Sequence, residues 1–141
     1  DKKADHAFSA NKIKELLTTS HNFNTLFIYS NNINSQDSTD STNLSDPHNL
    51  SNPSYAICYE NKSILHYSYP FYDLKNSPKD KGLIMMTKAI VEAQTLRLKY
   101  VYLGSLQRPT DIYKLQFSGI EWFDGEKWRD DLEEVKKILG K

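Results

Sequence analysis

Three residues in the last third of the chain, Tyr113, Lys114 and Gln116, stand a few positions beyond an apolar run that ends in glycine, "KYVYLG" (99–104). A phenol can give a proton to a leaving oxygen, and an ammonium can hold a phosphate. In open α/β sheets, ligands settle beyond the carboxyl ends of strands, so a short helix following such a strand can carry this chemistry. A second group precedes the run. Tyr72 and Asp73 end the segment "SILHYSYPFYD" (63–73) and form a candidate catalytic pair. "KDKG" (79–82) places Lys79, Lys81 and Gly82 at the start of a helix, where two cations oppose the helix dipole and favour an anionic partner. Each group also has a plain alternative. Tyr113 and Phe117, spaced i, i+4, can face a core, the lysines can be solvated, and Asp73 can be a turn residue.

The elements that would position these groups can be read from periodicity. Residues 9–20 carry Ile13, Leu16 and Leu17 at helical spacing, and "NTLFIYS" (24–30) reads as a strand. Residues 31–53 are Asn, Ser, Asp and Thr with almost nothing to bury, and are expected to form a mobile polar loop. "SYAICYE" (54–60) and residues 63–73 read as a strand pair turned at Asn61-Lys62. Residues 77–99 read as the best helix, with Ser77 as N-cap, Pro78 at the first position and an apolar face of Leu83, Met86, Ile90, Ala93 and Leu96. A strand over residues 100–104 follows at once, so strands 63–73 and 100–104 are expected to be parallel through a right-handed βαβ crossover. A short helix at "PTDIYKLQF", a hairpin turned at Asp124-Gly125 with Trp122 and Trp128 as cross-strand partners, and an amphipathic "DLEEVKKILG" complete the chain. The expectation is one α/β domain over residues 1–141, an antiparallel meander followed by a parallel crossover.

Composition narrows the function. The 141 residues carry 18 basic and 18 acidic side chains, so no global charge draws the chain to nucleic acid or an anionic membrane. One cysteine, Cys58, excludes a disulfide framework and reads as a buried strand residue. The four histidines are scattered, His66 reads as a structural residue on a sheet face, and no metal site is expected. No apolar run approaches the ~20 residues of a membrane span, and a cytoplasmic protein without a membrane partner is expected.

The element order resembles the core of the GNAT superfamily of acyltransferases. More closely, residues 63–104 together with "IYKLQFSGIEWFDG" resemble the C-terminal domain of the arginyl- and leucyl-tRNA–protein transferases. The matching features are Tyr72-Asp73, Gly82, Tyr100 to Gly104, Tyr113-Lys114, Phe117 and Ile120-Glu121, covering roughly residues 54–124. The family's cysteine-clustered N-terminal domain and its "CPKM" segment have no counterpart in this sequence. The resemblance implies a GNAT-like mixed sheet and transfer of an aminoacyl group from aminoacyl-tRNA, as co-substrate, to an amine of a protein or peptide. It implies catalytic roles for Tyr113, Asp73 and Tyr72, and donor binding by Lys114, Gln116, Lys79, Lys81, Gly82 and Tyr102. No tightly bound cofactor is implied, and the sequence leaves open whether a partner chain supplies the missing domain. Acetyl-CoA is the alternative donor, and a non-catalytic binding or regulatory module is the alternative role.

Overall fold

The structure is a computed structural model that describes residues 10–30 and 53–140. The polar segment expected to form a loop at residues 31–53 lies, apart from Pro53, outside the described residues. The chain divides into two compact units, Asp1–Tyr102 and Leu103–Lys141.

The first unit holds α1 (Ala10–Thr18), β1 (Thr25–Tyr29), β2 (Ser54–Glu60), β3 (Ile64–Phe71), α2 (Lys81–Thr95) and β4 (Tyr100–Tyr102). The sheet order is β1-β2-β3-β4, antiparallel through the first three strands and parallel between β3 and β4. This is the meander and crossover expected from the sequence. Its β1 is anchored by Asn24, whose side-chain amide gives to the Glu60 carbonyl and accepts from the Glu60 N–H, each at 2.8 Å. One asparagine thereby reproduces the two bonds of a strand pair.

One face of the sheet carries Ala56, Cys58, Leu65 and Tyr67, all buried, and α2 packs on β3 and β4. The buried residues of α2 are Lys81, Met85, Met86, Ala89 and Ala93. This differs from the expected stripe. Leu83 and Ile90 are only half-buried and Leu96 is exposed, because the two alanines bring the helix axis close to the sheet and set its rotation. The helix also starts later than expected. Its N-cap is Asp80, with no side-chain cap bond, and Lys81 N–H bonds the Pro78 carbonyl, so residues 77–80 form a preceding turn. At the other end Leu98 N–H reaches the Ala93 carbonyl around Arg97, whose φ of 56° puts a non-glycine residue in the left-handed position of a Schellman closure.

The second unit holds a 3-10 helix (Pro109–Gln116), β5 (Trp122–Phe123), β6 (Trp128–Arg129) and α3 (Leu132–Ile138). Leu115, Trp122, Val135 and Leu139 form its core, flanked by Leu106, Ile112 and Leu132. The Asp111 carboxylate accepts the Gln107 and Arg108 N–H groups at 3.1 Å, which starts the 3-10 helix at Pro109. The hairpin register corrects the expected tryptophan pair: Trp122 opposes Arg129, and Trp128 opposes Phe123. The turn is centred on Gly125-Glu126, since Asp124 N–H bonds the Lys127 carbonyl and Gly125 takes φ 107°. Trp122 therefore faces the core while Trp128 stays half exposed against Phe123.

Asp124 closes this turn by accepting the Lys127 and Glu126 N–H groups, and these bonds, aided by Arg129, lower its carboxyl from 3.8 to about 2. A depressed carboxyl supports the folded form above its unfolded value and loses that support as pH falls through its folded value. The hairpin is expected to stay closed down to about pH 4 and to loosen toward pH 2. Amide chemical shifts of Glu126 and Lys127 across an acid titration check this; a midpoint at the ordinary carboxylate value would show that the turn bonds are not formed.

Candidate functional site

The parallel pairing of β3 with β4 is short. Ile64 faces Tyr100, Leu65 faces Val101 and His66 faces Tyr102, and there β4 ends. From Tyr67 to Phe71, β3 keeps β2 on one side and has no strand on the other among the described residues. The two strands of the crossover thus part after three residues.

A bulge lies at this parting. Cys58 opposes Tyr67 and Ile57 opposes Tyr69, so Ser68 is an extra residue on β3, its N–H turned to the Cys58 sulfur. An extra residue reverses the alternation of faces. Before the bulge, Leu65 and Tyr67 point to the α2 face; after it, Pro70 opposes Ala56 there and Tyr69 lies opposite Ile57 on the other face. Tyr69 then meets Phe23, at 5.1 Å between ring centroids, and Phe23 also meets His66.

The same reversal delivers Tyr72 to α2. Its hydroxyl lies 3.0 Å from where a Cβ on Gly82 would stand. Glycine at the second residue of the helix gives the room for this approach, and a side chain there would press on the phenol. The N–H groups of Gly82 and Leu83 have no partner among the described residues, as the start of an uncapped helix requires. Two candidate residues, Tyr72 and Gly82, are therefore brought together: a phenol beside two free N–H donors at a helix start.

Replacing Gly82 by alanine tests this contact. Alanine in a helix is ordinarily worth about 0.5–1 kcal/mol over glycine. Here the gain is expected to vanish or reverse, and to return in Gly82→Ala/Tyr72→Phe, which removes the crowding oxygen. Urea denaturation of both variants reads the difference; full stabilisation by Gly82→Ala alone would place the tyrosine elsewhere.

The neighbouring candidates are arranged differently. Asp73 accepts the Asn76 side-chain amide at 2.6 Å and the Lys75 N–H at 2.8 Å, and these bonds hold its exposed carboxyl below the usual range. It is a turn-forming carboxylate of low basicity. Lys79 is exposed, whereas Lys81 is buried at the first turn of α2. Tyr102, at the end of β4, sets its ring against His66 at 6.1 Å.

In the second unit, Lys114 is buried rather than solvated. Its Nζ donates to the Ser105 carbonyl at 2.8 Å and lies over Gly104, whose φ of 82° opens the space. Burial pushes this ammonium's pKa down. Tyr113 is exposed, with the Lys114 ammonium 6.0 Å from its ring centre, and Gln116 donates to the Tyr113 carbonyl. The expected core face of Tyr113 and Phe117 is instead occupied by Lys114 and Leu115, since the 3-10 period of three residues per turn rotates side chains away from α-helical spacing.

Cys58 is fully buried, and burial raises its thiol to about 11, which fits the sequence reading of a packed strand residue. Among the described residues no cluster of His, Cys, Asp or Glu could hold a metal, and no helix is long and apolar enough to cross a membrane. An open cleft between β1 and α2 is lined by Phe27, Tyr29, Lys88, Val91 and Glu92 and gathers none of the candidate residues. Sequence reasoning missed Ser68, whose hydroxyl lies 3.0 Å from His66 Nε2; the bulge that sets it carries no compositional signal. No protein family, curated protein or solved structure matches the chain.

Proposed function

We propose that the chain is a GNAT-like acyltransferase domain that moves an aminoacyl group from aminoacyl-tRNA to an amine of a protein or peptide. The observation that supports this reading most is the parting of β3 from β4 after His66–Tyr102; the N–H groups of Gly82 and Leu83, without a partner among the described residues, add to it at the start of α2. In the superfamily that the sequence resembles, two strands diverge after the crossover and the acyl donor lies in the resulting cleft.

In this reading the acceptor amine attacks the ester carbonyl of the donor. The charge that develops on the carbonyl oxygen is met by the N–H groups at the start of α2, where the helix dipole favours an anion. The Tyr72 hydroxyl, next to Gly82, supplies a proton to the departing ribose oxygen, and its phenolate takes up the proton that the attacking amine releases. Asp73 holds the turn that carries the strand end toward the helix.

The reading is tested by incubating the protein with tRNA charged with a labelled amino acid and with candidate acceptor peptides. Label is expected to pass to the acceptor and to fall sharply with Tyr72→Phe, since loss of a proton donor costs roughly 10²–10⁴-fold. Donor that stays intact with every acceptor overturns it. Thermal stabilisation by coenzyme A, with turnover of acetyl-CoA, would instead assign the acetyl donor.

A further inference from the structure

We propose that Ser68 and His66 form a nucleophile–base pair that accepts an acyl group from an activated ester as a serine ester. The Ser68 hydroxyl lies 3.0 Å from His66 Nε2, within the reach that a hydroxyl and its general base require. In the tautomer with its proton on Nδ1, the imidazole accepts this hydroxyl's hydrogen bond. The pair also has a place suited to a ligand. His66 is the last residue of β3 to be paired with β4, and Ser68 is the unpaired residue of the bulge, at the start of the open strand edge. The imidazole is flanked by two rings, Phe23 at 6.3 Å and Tyr102 at 6.1 Å between centroids, which restrict its rotation and keep one side apolar. These groups all belong to the first unit.

The step balances without any further reactant. Ser68 Oγ bonds to the acyl carbon while its proton passes to His66 Nε2. The bond from the acyl carbon to the leaving alcohol oxygen breaks, and His66 returns the proton to that oxygen. Water or an amine then attacks the serine ester, His66 takes the attacker's proton, and Ser68 Oγ leaves with it. This activity does not rest on the aminoacyl-tRNA reading, because any ester with a good leaving group suffices.

The probe is p-nitrophenyl acetate, with stopped-flow detection of p-nitrophenolate and peptide mapping of the quenched protein. The expected result is a burst approaching one equivalent per chain, with the acetyl group on the peptide that contains Ser68. Ser68→Ala abolishes the burst, and His66→Asn slows acylation by roughly 10²–10⁴-fold, each with an unchanged far-ultraviolet circular dichroism spectrum. A folded parent protein that never carries acetyl on Ser68 overturns the proposal, as does a burst that survives Ser68→Ala, which would mark lysine acylation. Acetylation of Ser68 at the parent rate in His66→Asn overturns the base role. Failure of this test leaves transfer from charged tRNA untouched, since that assay follows label into an acceptor.

Discussion

Replacing Ala89 by aspartate is expected to abolish cooperative folding of the first unit. Ala89 is 1% exposed, on the α2 face that packs against the sheet, where Met85, Met86 and Ala93 are buried beside it. A carboxylate there sits among apolar side chains and adds volume where the helix and sheet are closest. The loss of hydration costs several kcal/mol, against a total stability of about 5–15 kcal/mol for a typical domain. Val91, two residues on and exposed, is the control: Val91→Asp should change stability by about 0.5 kcal/mol or less. Thermal denaturation followed by circular dichroism compares the two. An Ala89→Asp protein that melts like the parent would mean that α2 turns another face to the sheet.

The second large effect belongs to the other unit. Trp122→Ala should cost about 3–5 kcal/mol, the range for deleting a buried large aromatic ring. Trp122 packs with Leu115, Val135 and Leu139, and its indole N–H donates to the Asp131 carbonyl at 3.1 Å. Asp131 is also the N-cap of α3, its carboxylate accepting the Glu133 and Glu134 N–H groups. The variant thus opens a cavity, orphans a carbonyl and loosens the residue that starts α3. Amide exchange across α3 should rise strongly. Trp128→Ala, at the half-exposed Phe123 contact, should cost about 1 kcal/mol or less. Equal losses from the two tryptophans would contradict the hairpin register.

The first unit's architecture is legible in the sequence because its elements carry local signals. Strands 54–60 and 63–73 alternate or run apolar between turn residues, and a helix joined to "YVY" by so short a link leaves little choice but a parallel crossover. What is not legible depends on small residues and on single-residue offsets. Ala89 and Ala93 set the phase of α2, yet an apolar count favours the larger Leu83, Ile90 and Leu96. The Trp122 register turns on whether Asp124-Gly125 or Gly125-Glu126 forms the centre of the turn, a shift that exchanges the two faces of the hairpin. The candidate site shows the same limits. Tyr72 and Gly82 follow from the strand end and the helix start, and the structure joins them. Asp73 and Lys114 stand out by their charge, but the charge of each is engaged in local bonds, to Asn76 and Lys75 in one case and to Ser105 in the other. Ser68 escapes a reading by composition because nothing in the residue types distinguishes a bulge from a regular strand.

The Asn24 clamp on Glu60 has a consequence for the order in which the molecule comes apart. It joins residues 36 apart in sequence, whereas β2 and β3 are connected by a tight turn at Asn61. Bringing the ends of a long segment together costs more chain entropy than closing a short one, and β1 is an edge strand with β2 as its only neighbour among the described residues. β1 is therefore the strand that docks last and detaches first, a separate step at lower free energy than global unfolding. The β2–β3 pair, sealed by its turn and covered by α2, forms the slow-opening kernel. Breathing of the sheet begins at its first strand, and the bulge and the residues around it open only with the whole.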